Sequence, residues 1–149
     1  MAAFHLAQLN VGITKGPMDS PIMAEFANNL DRINALAEAS PGFVWRLQDE
    51  DGNATALRPF DDDTLVNLSV WESADALKAY VYQSAHADIM KRRREWFIKM
   101  FKAHLVLWWV PAGHRPSTDE ARDRLEHLHT HGPSPHAFTF AKIYEPTTA

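Results

Sequence analysis

Cysteine is absent from the 149-residue chain. That excludes a disulfide scaffold, a thiolate metal site, an iron–sulfur cluster and a cysteine nucleophile. Basic residues are also scarce: 15 Lys and Arg against 19 Asp and Glu leave a net charge of −4. A general nucleic-acid binder needs the opposite surplus to neutralise phosphates. The run Lys91-Arg92-Arg93-Arg94 is too isolated in an acidic chain to change this. No apolar run approaches the about 18 residues of a membrane span. The segment Met1 to Asn10 lacks the basic region and apolar stretch of a signal peptide. No Gly-rich phosphate loop, nucleophile elbow or paired-carboxylate spacing occurs. The expectation is a soluble, cytoplasmic protein with neither a nucleic-acid nor a membrane partner.

What the chain does have is an ordinary apolar share of 46%, with eight Phe, five Trp, three Tyr and eight His. The length suits a single domain over residues 1–149, which would bury about two-thirds of its unfolded surface.

Phe4 to Ile13 alternates as a strand, with Gln8 and Asn10 forming a polar patch on one parity. Gly16-Pro17 breaks it. Ser20 and Pro21 open a helix whose stripe is Ile22, Phe26, Leu30, Ile33 and Leu36, and Ser40-Pro41-Gly42 stops it. Phe43 to Gln48 reads as a second strand with Phe43, Trp45 and Leu47 on one face. Asp49 to Asp63 is a polar connection. Thr64 to Trp71 is a third strand, with Asn67, Ser69 and Trp71 opposite Val66, Leu68 and Val70. Ser73 caps the next helix, which may restart at Ser84; the stripe His86, Met90, Arg93, Phe97 and Phe101 then continues it. Ala103 to Val110 is a strand apolar on both faces. Ser117-x-x-Glu120 is a capping box for a last helix, and Ala137 to Tyr144 reads as a last strand.

The order β-α-β-β-α-β followed by α-β predicts an α+β, ferredoxin-like fold with a C-terminal addition. Helices would cover one sheet face. The other face is also apolar, and a second sheet from a second copy would cover it.

Three constellations could carry chemistry. His86 and Arg93 lie two helical turns apart on one stripe, so both project into the same space. Such a pair could bind a carboxylate, polarise a carbonyl or ligate a haem iron; local capping by His86 and surface pairing by Arg93 are the plainer alternative. Trp45, Trp71, Tyr80, Trp96 and Trp108 would wall a flat ring, or simply fill the core. His127 and His131 share a helix face at a two-histidine metal spacing, although His at a helix C-terminus is also favoured by the macrodipole. No third ligand is placed, so no metal is assigned.

Asn67-Leu-Ser-Val-Trp-Glu-Ser73, Tyr82-Gln-Ser-Ala-His86, Arg93-Arg-Glu-Trp-Phe97, Leu107-Trp-Trp-Val-Pro-Ala-Gly-His-Arg-Pro116 and Glu120-Ala-Arg-x-Arg-Leu-Glu-His127 together resemble the bacterial family called domain of unknown function 3291. The wider pattern is similar to the dimeric α+β-barrel superfamily, which includes antibiotic-biosynthesis-type monooxygenases and haem-degrading enzymes. The resemblance implies a homodimer of face-to-face sheets and a pocket between sheet and helices. It implies a small-molecule enzyme or binding protein of the cofactor-independent monooxygenase kind, acting on a flat, largely apolar ligand. His86 would be general base or hydrogen-bond donor, and Arg93 would hold an anionic oxygen. Asn10 and Asn67 would orient the ligand, with Trp45, Trp71, Tyr80 and Trp96 as its wall. The alternatives are a haem protein with His86 as proximal ligand, and a non-catalytic interaction or sensing module.

Overall fold

A computed structural model describes residues 4–48, 64–99 and 104–146. The strands are β1 (Phe4–Ile13), β2 (Phe43–Arg46), β3 (Thr64–Trp71) and β4 (Leu105–Pro111). The helices are α1 (Ala24–Ala39), α2 (Ala74–Gln83), α3 (Ala85–Lys91), α4 (Arg93–Trp96) and α5 (Thr118–His131), with a 3₁₀ turn at Pro21–Met23 ahead of α1. The strands form one antiparallel sheet in the order β2-β3-β1-β4. This is the split β-α-β arrangement expected from the element order. Among the described residues no helix is long and apolar enough to cross a membrane.

Strand alternation divides the sheet into two unlike faces. Ala7, Leu9 and Val11 of β1 join Val66, Leu68 and Val70 of β3 and Val106, Trp108 and Val110 of β4 in one buried cluster. Ala121, Leu125 and Leu128 of α5 belong to the same cluster, at helical steps of four and three. Each fully buried Leu or Val contributes about 1.5–3 kcal/mol. The β1 and β4 part of this second apolar face is therefore covered within the chain by α5. That part of the face needs no second copy to cover it, contrary to the expectation that no helix remained for it.

The opposite face holds Leu6, Trp71 and Leu107 packed on Ala37 of α1 and Leu77 of α2. It also holds Gln8, Asn10 and Gly12 of β1 and Asn67 and Ser69 of β3, in register as Gln8–Ser69 and Asn10–Asn67 pairs. Ser73 caps α2 by accepting from the Ala76 amide at 3.1 Å. The chain turns at Gly42, whose φ is 83° and where a Cβ would lie 2.4 Å from that of Ala76. Only glycine relieves both constraints.

Three local expectations change. The long stripe from His86 to Phe101 breaks: a turn at Arg92 separates α3 from α4, and Phe97 leaves the helix in extended conformation to bridge Thr14. Met100 and Phe101 lie outside the described residues. Ala137 to Tyr144 is not a full strand. It touches β4 at one bridge, Leu107–Phe138, through backbone hydrogen bonds of 2.7 and 2.9 Å, and otherwise turns. In β2 an irregularity between Phe43 and Trp45 flips the residues after it, so Phe43 and Trp45 do not share a face. The polar connection Asp49 to Asp63 lies outside the described residues.

Candidate functional site

A cavity of about 130 Å³ lies between the helix-side face of the sheet and α1, α3 and α4. Phe26, Leu30 and Ile33 of the α1 stripe form one wall, and Ile89, Trp96 and Phe97 another. A second cavity of about 50 Å³ continues under α2, lined by Gln8, Ser69, Trp71, Leu77 and Tyr80. Asn10, Asn34, Arg46, Asn67 and Met90 line both. Among the described residues, the polar ones that line the larger cavity are Asn and Arg, with no carboxylate. Such a surface suits a ligand that is apolar over most of its area and carries electron-rich oxygen.

Arg93 reaches the cavity because its place on the α3–α4 segment turns it inward. Its Nη2 donates to the Val11 carbonyl at 2.9 Å, and its guanidinium sits 5.0 Å from the Phe97 ring centroid. Burial lowers its pKa from the ordinary arginine value. Among the described residues no carboxylate forms an ion pair with it. Arg92 does the opposite: it pairs with Glu25 at 2.6 Å and Glu95 at 2.7 Å on the outside. Arg46 is held by Glu38 at 3.1 Å.

Asn10 and Asn67 face each other across β1 and β3. The Oδ1 of Asn10 is buried with no hydrogen-bond partner among the described residues, a state that costs about 1–3 kcal/mol unless something donates to it. Trp71 donates its indole N–H to Ser69 Oγ at 2.9 Å and stacks on Tyr80, with centroids 5.1 Å apart and planes at 26°. Tyr80 donates to the Ile33 carbonyl at 3.3 Å, and burial, partly offset by Arg46, holds its phenol well above the ordinary value. It stays neutral.

The structure thus brings together Asn10, Asn67, Arg93, Trp96, Trp71 and Tyr80 from the expected set. It does not bring Trp45, which packs against the α5-side cluster because of the β2 irregularity. His86 belongs to α3, but its side chain lies outside the described residues, so the base and haem-ligand readings gain no geometry. Gln8, Asn34 and Arg46 were missed as site residues. Asn34 was visible as the residue four after Leu30 on the inward stripe of α1, and Arg46 as the polar neighbour of Trp45.

The His-rich end of α5 lies apart from the cavity. The His127 ring contacts those of His131 and His136 at 4.6 and 4.5 Å, and His136 Nδ1 is taken by Arg124 at 3.0 Å. Among the described residues no three ligating side chains are arranged to hold a metal ion.

No curated protein matches the chain. Among solved structures it is similar to a conserved protein from Methanosarcina mazei Go1, at 12% identity and TM-score 0.50, covering 74% of this chain and 94% of that one. It is also similar to SnoaB, a cofactor-independent oxygenase from Streptomyces nogalater, at 21% identity and TM-score 0.47, covering 76% and 97%. A Nitrosomonas europaea protein named for the antibiotic biosynthesis monooxygenases aligns at 10% identity and TM-score 0.48, covering 78% and 97%. Identities this low show the fold alone, which is the ferredoxin-like α+β fold read above. The family is shown by the sequence itself: over residues 5–149 the chain belongs to the family described as Domain of unknown function (DUF3291).

Proposed function

We propose that the chain binds a flat, largely apolar small molecule bearing an electron-rich oxygen, in the cavity between the sheet and α1, α3 and α4. The observation that carries this reading is the lining itself: among the described residues, aromatic and aliphatic walls, amides and two arginines, and no carboxylate. In this reading Arg93 holds the anionic or carbonyl oxygen, Asn10 and Asn67 orient the ring edge, and Trp96, Trp71 and Tyr80 supply flat apolar area.

The same reading extends to ring oxygenation without a metal or flavin, as the resemblance to antibiotic-biosynthesis-type monooxygenases implies. A bound phenol, once deprotonated, can itself give up the electrons that reduce dioxygen, one oxygen atom entering the ring as a quinone carbonyl and the other leaving as water, so the protein need only bind the phenol, orient it and help remove its proton. His86 is the proposed base, on its sequence position alone. A homodimer is proposed on the same resemblance and is tested by light scattering; the mass of a single chain would remove it.

The test of binding is a titration with flavone and flavonol, read by quenching of tryptophan fluorescence. Saturable quenching that weakens in Arg93→Met supports the reading. No quenching, or equal affinity in the variant, overturns it. Oxygen uptake with naphthol, in metal-free buffer and compared with His86→Ala, tests the catalytic extension.

A further inference from the structure

Gln8 is nearly inaccessible, at 6% exposure, and its side chain is the hub of a polar network on the helix-side face. Its Nε2 lies 2.6 Å from Asn67 Oδ1, 2.9 Å from Ser69 Oγ and 3.2 Å from the Asn67 carbonyl. All three neighbours can accept, which fixes the amide: turned over, the Gln8 oxygen would face an amide oxygen and a carbonyl. The Asn67 side chain is then fixed in turn. Its oxygen is turned toward Gln8 to accept from it, which turns its NH₂ the other way. Directly across the strands, Asn10 presents the reverse, a buried oxygen with no donor. Directly opposed residues on antiparallel strands hold their Cβ atoms about 4.5–5.5 Å apart.

We propose that Gln8 is a positioning residue that holds the Asn67 amide with its NH₂ toward the cavity, so that the Asn10–Asn67 pair reads a ligand edge carrying a carbonyl oxygen beside a hydroxyl group. The hydroxyl donates to Asn10 Oδ1 and the carbonyl accepts from Asn67 Nδ2. This inference rests on the binding reading above for its ligand, but not for its claim about Gln8. Ser69 extends the same device to the ring wall, since its Oγ accepts from both Gln8 and the Trp71 indole.

Two measurements test it separately. The first needs no ligand. In nitrogen-15 spectra of the whole chain, the Asn67 side-chain amide should move and broaden in Gln8→Met, and also in Gln8→Glu, whose carboxylate offers an acceptor where a donor stood. An Asn67 signal unchanged in both folded variants overturns the positioning role. The second compares flavonol, its methyl ether and flavone. Flavonol closes its own hydroxyl onto its carbonyl in apolar surroundings and then emits from a proton-transferred state. The wild type should suppress that band, because Asn10 takes the hydroxyl, and should bind flavonol about tenfold more tightly than the methyl ether, the scale of one hydrogen bond. Gln8→Met should weaken binding of flavonol, its methyl ether and flavone alike, since each carries the carbonyl that Asn67 reads, while the preference for flavonol over its ether, read by Asn10, is kept. Equal binding of all three probes by the wild type overturns the proposed readout and leaves the binding reading intact. Absence of any binding removes the binding reading and the readout together, while the amide spectra still decide the role of Gln8.

Discussion

Arg93 donates to the carbonyl oxygen of Val11 at 2.9 Å, so a cation on the α3–α4 segment is tied to the strand that forms the cavity floor. One N–H of the planar fork is spent on the backbone and others remain for a ligand. Arg93→Met should lower affinity for flavonol by about ten- to a hundredfold, the scale of a charge-assisted hydrogen bond. Arg93→Lys should fall between, since an ammonium cannot serve both partners with the same geometry. Fluorescence titration checks the order; a lysine variant equal to the wild type would refute the fork's role.

On the other sheet face, the Trp108 indole donates to Glu120 Oε2 at 2.9 Å, and Glu120 Oε1 meets His114 Nε2 at 2.7 Å. Trp108 is fully buried, so its N–H has no recourse to water. Glu120→Ala should cost about 1–3 kcal/mol in denaturant unfolding, with Glu120→Gln costing less because it keeps an acceptor.

Acid should weaken the fold through two histidines. Burial, then the nearby Arg93, lowers the pKa of His104; burial, then Arg124 and His127, lowers that of His136. A histidine with a lowered folded-state pKa favours the neutral form, so its contribution is complete above the ordinary value of 6.5 and is lost as pH falls below it. His104 is half-buried and His136 exposed, so His104→Gln should flatten the decline more than His136→Gln. Melting temperatures between neutral pH and pH about 5 would show this; an unchanged slope in His104→Gln would count against it.

Gly12 is small because Phe97 lies against it: a Cβ there would sit 2.6 Å from Phe97 Cδ1. Gly12→Ala should therefore cost about 1–3 kcal/mol by overpacking and narrow the cavity at Phe97. Thermal melting and flavone affinity should fall together. Loss of neither would mean the ring moves aside freely.

Much of the scaffold was legible because local rules and tertiary packing agree. The polar patch Gln8–Asn10 and the opposed Asn67–Ser69 stood out because polar residues interrupt strands that otherwise read as buried. Ser73 and Ser117 marked helix starts by their capping chemistry, and Arg93 was read as inward-facing from its stripe. Trp45 was misplaced because one strand irregularity reverses every later side chain, and nothing local signals it. The cover supplied by α5 was illegible for a different reason: its apolar stripe Ala121, Leu125, Leu128 shows that it packs, but not on which face. Gln8 was seen as polar but not as a hub, since its partners lie about sixty residues away.

The outer wall of the cavity is built from α3 and α4, of 7 and 4 residues, separated by the turn at Arg92. Helices that short do not persist in water by themselves and hold only while their side chains are packed. Local opening of this wall therefore needs less free energy than global unfolding, and hydrogen exchange should find α3 and α4 among the first segments to lose protection. A molecule seated against Trp96 and Ile89 would add contacts to those the wall already makes with Phe26 and Phe97. If the cavity takes the ligand proposed for it, binding and the ordering of α3–α4 become a single equilibrium, and the wall firms in proportion to how well the guest fills it.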